Sequence, residues 1–503
     1  MHVQTPAARP AGFEAGGSGA DSVDRTPIAT LLIGGNWRSG TGTFDVTDPA
    51  TGAVIGQASD SGVVEVLAAL DAASTAFADW KATPVETRSS ILHRAADAIR
   101  AEADSLASVM TAENGKPLAE SRGEILNSAR MLEWSAQEAR RACGRTVPNA
   151  AQGPSMVLTQ PVGPVLAISP WNFPASMLVR KIAMALAAGC TVIAKPADLT
   201  PLIAVAIIRT ITEAGIPAGV LNLITTTDPA GVTAALMDDP RLRKISFTGS
   251  TRVGLGLAEA NGSRLRRLSL EMGGHSPAIV LPDAEIEAAA SAIVASKFAN
   301  AGQSCIAVNR LYVHEDLASD LVDAIVRKTE ALTVGHGAAE GTDVGPLIND
   351  AALAKVTAQV DDAVSKGARV VTGGAVWTPA DKSLAGAFYQ PTVLVDVDET
   401  MLISREETFG PVLAVYTYTD RSEAVAKAND SEYGLAAYVF GRDVAELWKT
   451  FDDLEFGVIG VNDPFPVRPE LPFGGLKNSG QEREGGSEGI EAYLETKAVS
   501  LRF

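Results

Sequence analysis

Apolar residues recur at helical spacing along the first part of the chain, from about residue 62 to residue 137. The pattern predicts an outer layer of helices over residues 63–80, 88–110 and 120–139. Asp60-Ser61 is expected to cap the first of these helices, and Asn114-Gly115 is expected to end the second.

A different alternation follows, in which short strands that are apolar throughout are separated by helix-length segments. The strands are predicted at residues 163–169, 190–195, 219–225, 243–247 and 266–270, and the helices at about 175–188, 201–214, 228–238 and 250–261. This pattern is typical of a parallel sheet covered on both faces. The predicted fold class is therefore α/β, with a Rossmann-like domain whose ligands bind at the carboxyl ends of the strands.

A second alternation from residue 277 to about residue 460 predicts a second α/β domain. Two other segments are β-like. Residues 144–162 surround the run MVLTQ with prolines and are predicted to form a bridging segment or an edge hairpin. The closing segment GIEAYLETKAVSLRF could pair with another strand, of this chain or of a neighbouring subunit.

Length and charge limit the classes of partner. A chain of 503 residues is expected to form two or three domains. Its formal net charge of −18 would repel nucleic acid and anionic lipid, and no compact Lys/Arg cluster offsets that charge. The longest apolar run, residues 182–194, is shorter than the roughly 20 residues that span a bilayer. Neither nucleic acid nor a membrane is therefore an expected partner.

Cysteine and histidine usage indicates a reducing compartment and no metal. The three cysteines, Cys143, Cys190 and Cys305, are far apart and odd in number, which argues against a disulfide framework. Five scattered histidines, with no CxxC or HxxxH, leave no metal site to predict. Residues 1–27 lack the features of a signal or transit peptide. We interpret them as a flexible tail and expect a cytoplasmic protein.

The strongest chemical signal is Cys305, in the stretch SKFANAGQSCIAVNRLYV. An alanine-rich helix from near Asp283 is predicted to run into residues 300–302, and an alternating β-branched run to begin at Ile306. A thiol in the connection between them is held by two rigid elements without being buried by either, which is the placement that a reactive cysteine needs. The alternative is an ordinary half-buried cysteine.

Polar residues follow the predicted strands of the first sheet. Asn172, in PWNFP, could donate its side-chain N–H to a developing oxyanion, or could cap a proline-bounded turn. Lys195 and Asp198 follow the second strand and could contact a ribose or a phosphate. Gly249-Ser250, in FTGST, lie at a strand-to-helix turn whose free N–H groups suit a pyrophosphate, although GxGxxG is absent.

Two further motifs place carboxylates at fixed points. Glu271, in LEMGG, ends the fifth strand, where desolvation would raise its pKa and suit it to act as a general base. Otherwise it is a carboxylate that caps a loop. EETFGP, which contains Glu407, and PFGG are Gly/Pro loops with a carboxylate or an aromatic residue at a fixed place, and each could be turn chemistry alone.

Seven motifs, in their order along the chain, closely resemble those of the aldehyde dehydrogenase superfamily, and the resemblance covers about residues 30–503. They are PWNFP, KPA, FTGS, LEMGG, GQSC, EETFGP and PFGGLKNSG. The resemblance implies NAD(P)-dependent oxidation of an aldehyde to a carboxylic acid, by a homodimer or homotetramer. It also implies an NAD(P)-binding domain over residues 28–145 and 164–272, and a catalytic domain over residues 273–486. Residues 146–163 and 487–503 would form bridging or oligomerisation segments.

By this resemblance Cys305 is the nucleophile that forms a thiohemiacetal and then a thioester, and Asn172 with the Cys305 backbone N–H holds the oxyanion. Glu271 activates the water that hydrolyses the thioester. Asp198 would accept a hydrogen bond from a 2′-hydroxyl and repel a 2′-phosphate, so NAD is expected, with NADP as the alternative. The residues that match the family's cofactor contacts are Trp171, Lys195, Pro196, Ala197, Asp198, Gly249, Ser250, Met272 and Glu407.

Within the superfamily the chain is most similar to succinate-semialdehyde dehydrogenases, through WNFPASMLVRK, SKFxNAGQSC and NRLYV. The resemblance implies that Arg180 grips the distal carboxylate of the substrate, with Met177 on the same tunnel. The alternative for Arg180 is a solvated helix charge. The subfamily's second carboxylate-binding arginine is replaced by Ala299, and its loop serine by Val467. Arg468 could supply a replacement guanidinium.

The expected substrate is therefore succinate semialdehyde. One alternative is another semialdehyde, or an aromatic or aliphatic aldehyde in a tunnel made apolar by Ala299 and Val467. Transfer of the thioester to coenzyme A is a further alternative, which Glu271 argues against. A catalytically silent binding protein on this fold is disfavoured, because Cys305, Glu271 and Asn172 are all present.

Overall fold

The computed structural model describes residues 28–148 and 154–502. The predicted flexible tail, residues 1–27, lies outside the described residues. The helices are α1 (Val63–Ala82), α2 (Val85–Ala101), α3 (Ala103–Asn114), α4 (Leu118–Glu138), α5 (Pro174–Ala188), α6 (Pro201–Glu213), α7 (Pro229–Asp238), α8 (Thr251–Asn261), α9 (Ile286–Phe298), α10 (Glu315–Glu330), α11 (Asp350–Ser365), α12 (Leu402–Arg405), α13 (Arg421–Asn429), α14 (Val444–Asp452) and α15 (Glu488–Glu491).

The strands alternate with these helices through most of the chain. They are β1 (Ile28–Ala29), β2 (Leu31–Ile33), β3 (Asn36–Arg38), β4 (Gly42–Thr47), β5 (Val54–Asp60), β6 (Arg145–Val147), β7 (Ser155–Pro161), β8 (Val165–Ile168), β9 (Val192–Lys195), β10 (Leu221–Leu223), β11 (Lys244–Thr248), β12 (Arg267–Glu271), β13 (Pro277–Val280), β14 (Arg310–His314), β15 (Arg369–Thr372), β16 (Thr392–Val395), β17 (Val412–Tyr418), β18 (Tyr433–Gly434), β19 (Ala436–Phe440), β20 (Val458–Val461), β21 (Leu476–Lys477), β22 (Gly480–Gln481) and β23 (Leu494–Ser500).

The outer helical layer has one more helix than predicted. The second predicted helix is divided at Glu102, whose backbone ends α2 and precedes α3. Both helices pack on α4 and α6. The predicted cap at Asp60-Ser61 is also wrong, because Gly62 begins α1 and its N–H donates to the Glu65 carboxylate at 3.0 Å. Asp60 instead accepts hydrogen bonds from Thr227.

The first large sheet confirms the predicted α/β fold. Its strand order is β22-β12-β11-β8-β9-β10-β2-β3, and the five strands from β12 to β10 are parallel. The strand order reverses between β8 and β11, and a crevice at such a point is where doubly wound sheets bind ligands. The short strand β22 joins this sheet from the segment predicted for the catalytic domain.

A second sheet, in the order β15-β16-β17-β14-β13-β19-β20, is parallel except for β15. A small third sheet has the order β23-β7-β6. The predicted hairpin around MVLTQ is thus present, and the closing strand pairs with it in this chain, with Leu494 opposite Pro161. Among the described residues, no helix combines the length and apolar character needed to cross a bilayer.

The two large sheets have separate hydrophobic cores, as expected for two units of α/β structure. A smaller cluster of Leu435, Ala436, Val458 and Phe473 packs against the partly buried Cys305. This cluster places the cysteine against the second unit, on the side where the strands of the first sheet end.

Candidate active site

A cavity of about 640 Å³ lies beside Cys305. Its walls come from α4, α5 and α9, and from the loops around Ile306 and Val467. Most of the lining side chains are apolar. Among the described residues that line it, Arg180 is the only cation, and the carboxylates are those of Glu120, Glu124 and Asp343.

An unusual backbone turn carries the chain from α9 to Cys305. Asn300, Ala301 and Gly302 are all left-handed, with φ of 49°, 55° and 73°. A Cβ at Gly302 would lie 2.2 Å from the Gly410 carbonyl oxygen, so only glycine fits there. This turn and the loop after it occupy the residues up to Arg310, so β14 begins there and not at Ile306 as predicted.

The Cys305 side chain is half-buried. Burial, together with the neighbouring carboxylates of Glu407 and Glu271, raises its pKa to about 12 against the opposing charge of Arg180. The sulfur is therefore a thiol at neutral pH in this arrangement. A base must take its proton before it can act as a nucleophile.

Asn172 is buried and joined to the loop that carries Cys305. Its Nδ2 donates to the Gln303 carbonyl at 3.0 Å, two residues before the cysteine. Its own backbone carbonyl accepts from Lys116 Nζ at 2.7 Å and from Asn300 Nδ2 at 2.9 Å. Since an amide nitrogen carries two N–H groups, the second can serve an oxygen atom near Cys305.

Glu271 ends β12 as predicted and is buried. Within the described part of the chain, neither carboxylate oxygen has a hydrogen-bond partner. Burial raises its pKa well above the usual range, and repulsion from Glu484 adds to the effect, whereas Lys181, Arg180 and Arg483 oppose it. Once ionised, such a carboxylate is a strong base.

Arg180 is buried in the cavity wall, so it is not a solvated helix charge. Its Nη1 has no hydrogen-bond partner among the described residues. Met177, Ala299 and Val467 line the same cavity. Arg468 does not line it, because its Nη2 donates to Asp463 at 2.8 Å on an exposed loop. The geometry therefore does not favour the prediction that Arg468 replaces the missing arginine.

The predicted dinucleotide cradle begins at the carboxyl ends of β9 and β11. Lys195 is buried, which lowers its pKa, and Asp198 is exposed beyond Pro196 and the half-buried Ala197. A Cβ at Gly249 would lie 2.6 Å from the Phe247 ring, and Ser250 begins α8 without a side-chain cap. This leaves backbone N–H groups at the helix N-terminus for a phosphate.

A second part of the cradle lies nearer to Cys305. The Glu407 carboxylate accepts from the Gly274 N–H at 3.0 Å, and burial raises its pKa to about 7. The Trp171 ring meets the Phe409 ring edge-on at 5.6 Å. Met272 packs beneath α8. The sequence-predicted cofactor residues thus lie along the edge where the strands of the first sheet end.

Sequence reasoning missed the buried charges around these residues: Lys116, Glu124, Lys181 and Glu484. Lys181 pairs with Glu484, and Lys116 pairs with Glu124. The available signal was a charged pair, Arg180-Lys181, within an otherwise apolar helical run. No group of three or more potential metal ligands occurs within residues 28–148 and 154–502.

A doubly wound parallel sheet, together with a cavity lined by a cysteine, is typical of a dehydrogenase that uses a dinucleotide cofactor. Residues 37–499 match the aldehyde dehydrogenase family, and the chain belongs to that family. It is an NAD(P)-dependent aldehyde dehydrogenase.

Two relatives and one solved structure illustrate the similarity. The succinate-semialdehyde dehydrogenase (NADP(+)) of Escherichia coli strain K12 is 42% identical over 473 residues, 93% of this chain and 97% of that protein. The glutarate-semialdehyde dehydrogenase of Pseudomonas putida KT2440 is also 42% identical, over 93% of this chain and 97% of that protein. The crystal structure of succinate-semialdehyde dehydrogenase from Burkholderia pseudomallei has a TM-score of 0.92 and 40% identity, covering 96% of this chain and 100% of that chain.

Proposed function

We propose that this enzyme oxidises a short aldehyde that carries a carboxylate at its far end, with succinate semialdehyde as the expected substrate. The observation that carries the proposal is the guanidinium of Arg180, whose Nη1 has no partner among the residues that the structure describes and which lines the same cavity as Cys305. A buried cationic donor without a partner costs free energy, and a substrate carboxylate would satisfy it. The two semialdehyde dehydrogenases among the relatives support this substrate class.

Three residues would carry the chemistry. Glu271 would first take the Cys305 proton and pass it to water, and the thiolate would then attack the aldehyde carbon. The Asn172 amide and the Cys305 backbone N–H would stabilise the negative charge that develops on the aldehyde oxygen. The hydrogen on that carbon would leave as a hydride, for which NAD(P), when bound, supplies the acceptor, and a thioester would remain. Glu271 then takes a proton from the water that attacks the resulting thioester, and the C–S bond breaks to release the acid and the thiol.

The cradle residues would hold the cofactor. Lys195 and Asp198 would contact the adenosine ribose, Gly249 and Ser250 the pyrophosphate, and Glu407 the nicotinamide ribose. Trp171, Pro196, Ala197 and Met272 would line the same path. The carboxylate of Asp198 favours NAD over NADP, because it would repel a 2′-phosphate.

The predicted division into domains, the homodimer or homotetramer and the cytoplasmic location are parts of the same proposal. The position of β23 at the edge of its sheet supports an oligomer, since an edge strand can pair with a strand of another chain. The three dispersed, unpaired cysteines support a reducing compartment.

The lining of the cavity also supports a second candidate, an apolar aldehyde without a carboxylate. Ala299, Val467 and Phe465 are apolar, and Arg468 binds Asp463 instead of facing the cavity. Arg180 would then be a structural cation that stacks near Phe473.

The deciding experiment measures kcat/KM with NAD for succinate semialdehyde and for butanal, which lacks the carboxylate. Wild type is compared with Arg180→Leu, and with Arg468→Leu as a second arginine change that the geometry predicts to be neutral. We expect a preference for the acid of about 100-fold or more, because a charge-assisted bidentate contact contributes about 3 kcal/mol. That preference should collapse only in Arg180→Leu. Equal rates for the two aldehydes in wild type would refute the semialdehyde assignment and favour the apolar aldehyde.

A further inference from the structure

Two buried charged side chains, Lys116 and Glu124, meet beneath the Asn172 segment. Lys116 lies between α3 and α4, and its Nζ donates to Glu124 Oε2 at 2.6 Å. The same Nζ donates to the Asn172 carbonyl at 2.7 Å and lies 4.2 Å from the centre of the Phe173 ring. The ammonium group therefore contacts its partner carboxylate and two consecutive residues of the PWNFP loop.

Glu124 holds the other end of that loop. Its second carboxylate oxygen accepts the backbone N–H groups of Ala175 and Ser176, both at 3.0 Å, in the first turn of α5. The residue that precedes α5 is Phe173, which offers no side-chain cap. Glu124, from a different helix, thus supplies the missing cap, and its negative charge suits the N-terminal end of the helix.

We infer that Lys116 and Glu124 are positioning residues that fix the Asn172 amide beside Cys305. The inference rests on the proposed role of Asn172 in binding the oxyanion. The Asn172 backbone is held on one side by the charge-assisted bond from Lys116, and its amide is held on the other side by the Gln303 carbonyl. A donor that is already in place costs no reorganisation when the oxyanion forms, and a shift of about 1 Å can cost roughly 100-fold in rate.

The arrangement of the pair favours positioning over simple stabilisation. A buried ion pair generally contributes little more stability than well-packed apolar side chains of the same size. This pair, however, directs its remaining hydrogen bonds to the Asn172 carbonyl and to the first turn of α5, which directly follows the PWNFP loop. Removing it should therefore affect the rate of oxyanion formation more than substrate affinity.

A double-mutant cycle tests the inference. The two charges are removed together, as Lys116→Met with Glu124→Gln, because either change alone would leave an unpaired buried charge. This pair variant, Asn172→Ala and the combination of all three changes are compared with wild type. We expect the pair variant to lower kcat by roughly 10- to 100-fold and to change KM by a smaller factor, which the loss of the Glu124 charge from the cavity lining accounts for. In the Asn172→Ala background the same two changes should lower kcat by no more than about 2-fold, since the group they position is gone.

A matched control is Lys244→Met, which removes another buried lysine at the amino end of β11, the opposite end from Thr248. Lys244→Met should change kcat by the same factor in wild type and in Asn172→Ala.

If the pair variant does not fold, Lys116→Arg, which keeps a cation beside Glu124, replaces it in the same cycle. Lys116→Arg should again lower kcat in wild type by a larger factor than in Asn172→Ala. Equal losses of kcat in both backgrounds, or no loss at all, would overturn the positioning role. Wild-type kcat in Asn172→Ala alone would instead refute the proposed oxyanion role, and the inference with it.

Discussion

The guanidinium of Arg180 lies 4.6 Å from the centre of the Phe473 ring. Phe473 is buried in the cluster with Leu435, Ala436 and Val458, so the ring is fixed in place. A cation over a ring face is attracted to it without using its N–H donors. The PFGG loop thereby holds Arg180 in place and leaves its donors for a ligand.

Phe473→Leu should weaken discrimination for a carboxylate-bearing aldehyde, because Arg180 loses the ring that holds it. A cation–π contact of about 0.5–2 kcal/mol corresponds to a fall of roughly 2- to 30-fold in the ratio of kcat/KM for succinate semialdehyde to that for butanal. Phe465→Leu is the matched control, since Phe465 also lines the cavity but is half exposed, and the ring that Arg180 stacks on is that of Phe473. A loss of the same size in both variants would contradict the role of Phe473.

The pH dependence of turnover should report the raised pKa of Glu271. Burial and the negative charge of Glu484 favour the protonated form, and only the ionised form can act as a base. Activity should therefore rise with pH through a value well above that of an exposed glutamate. Glu484→Gln removes the repulsion and leaves the buried Lys181 cation without its partner, and both effects lower the pKa of Glu271 and move this rise to lower pH.

The measurement is kcat against pH at saturating substrate and cofactor, for wild type and Glu484→Gln. Glu488→Gln serves as the control, because Glu488 is a nearby but exposed acid on α15. A shift to higher pH in Glu484→Gln, or an equal shift in both variants, would contradict the electrostatic explanation.

Alkylation of Cys305 should become faster when Glu407 loses its charge. The Glu407 carboxylate is the largest electrostatic contribution, after burial, to the raised pKa of the thiol. Glu407→Gln should lower that pKa and increase the thiolate fraction, so the rate with iodoacetamide at pH 8 should rise by roughly 3-fold or more. Cys143→Ser is used as the background because Cys143 is exposed. Glu406→Gln, the adjacent exposed acid, should leave the rate unchanged.

Much of the first sheet could be predicted because the sequence patterns that indicate its strands and helices are local. Strands that are apolar on both faces, each followed by a helical pattern, indicate a parallel sheet. All five predicted strands are present, and Asn172, Lys195, Gly249 and Glu271 lie at or just beyond their carboxyl ends. The strand-end rule therefore located the crevice without any knowledge of the remaining contacts.

The surroundings of these residues could not be predicted, because they depend on contacts between distant parts of the chain. Lys116 and Asn172 are 56 residues apart, and no periodicity links a loop lysine to a carbonyl in another loop. Ala301 adopts a left-handed backbone conformation, which the Cβ of an L-residue disfavours. The adjacent Gly302 packs closely on Gly410, and this contact between distant parts of the chain favours the turn. The burial of Arg180 likewise depends on Phe473, which comes from the far end of the sequence.

Asp198→Ser should shift cofactor preference toward NADP. Asp198 is exposed just beyond β9, where its carboxylate would repel a 2′-phosphate, and two unit charges about 4 Å apart near a protein surface interact by roughly 1–4 kcal/mol. The ratio of kcat/KM with NADP to that with NAD should therefore rise by about 10-fold or more. Glu213→Gln, at the other end of α6, makes the same change in net charge and should leave the ratio unaltered. An unchanged ratio in Asp198→Ser would show that this carboxylate does not face the ribose.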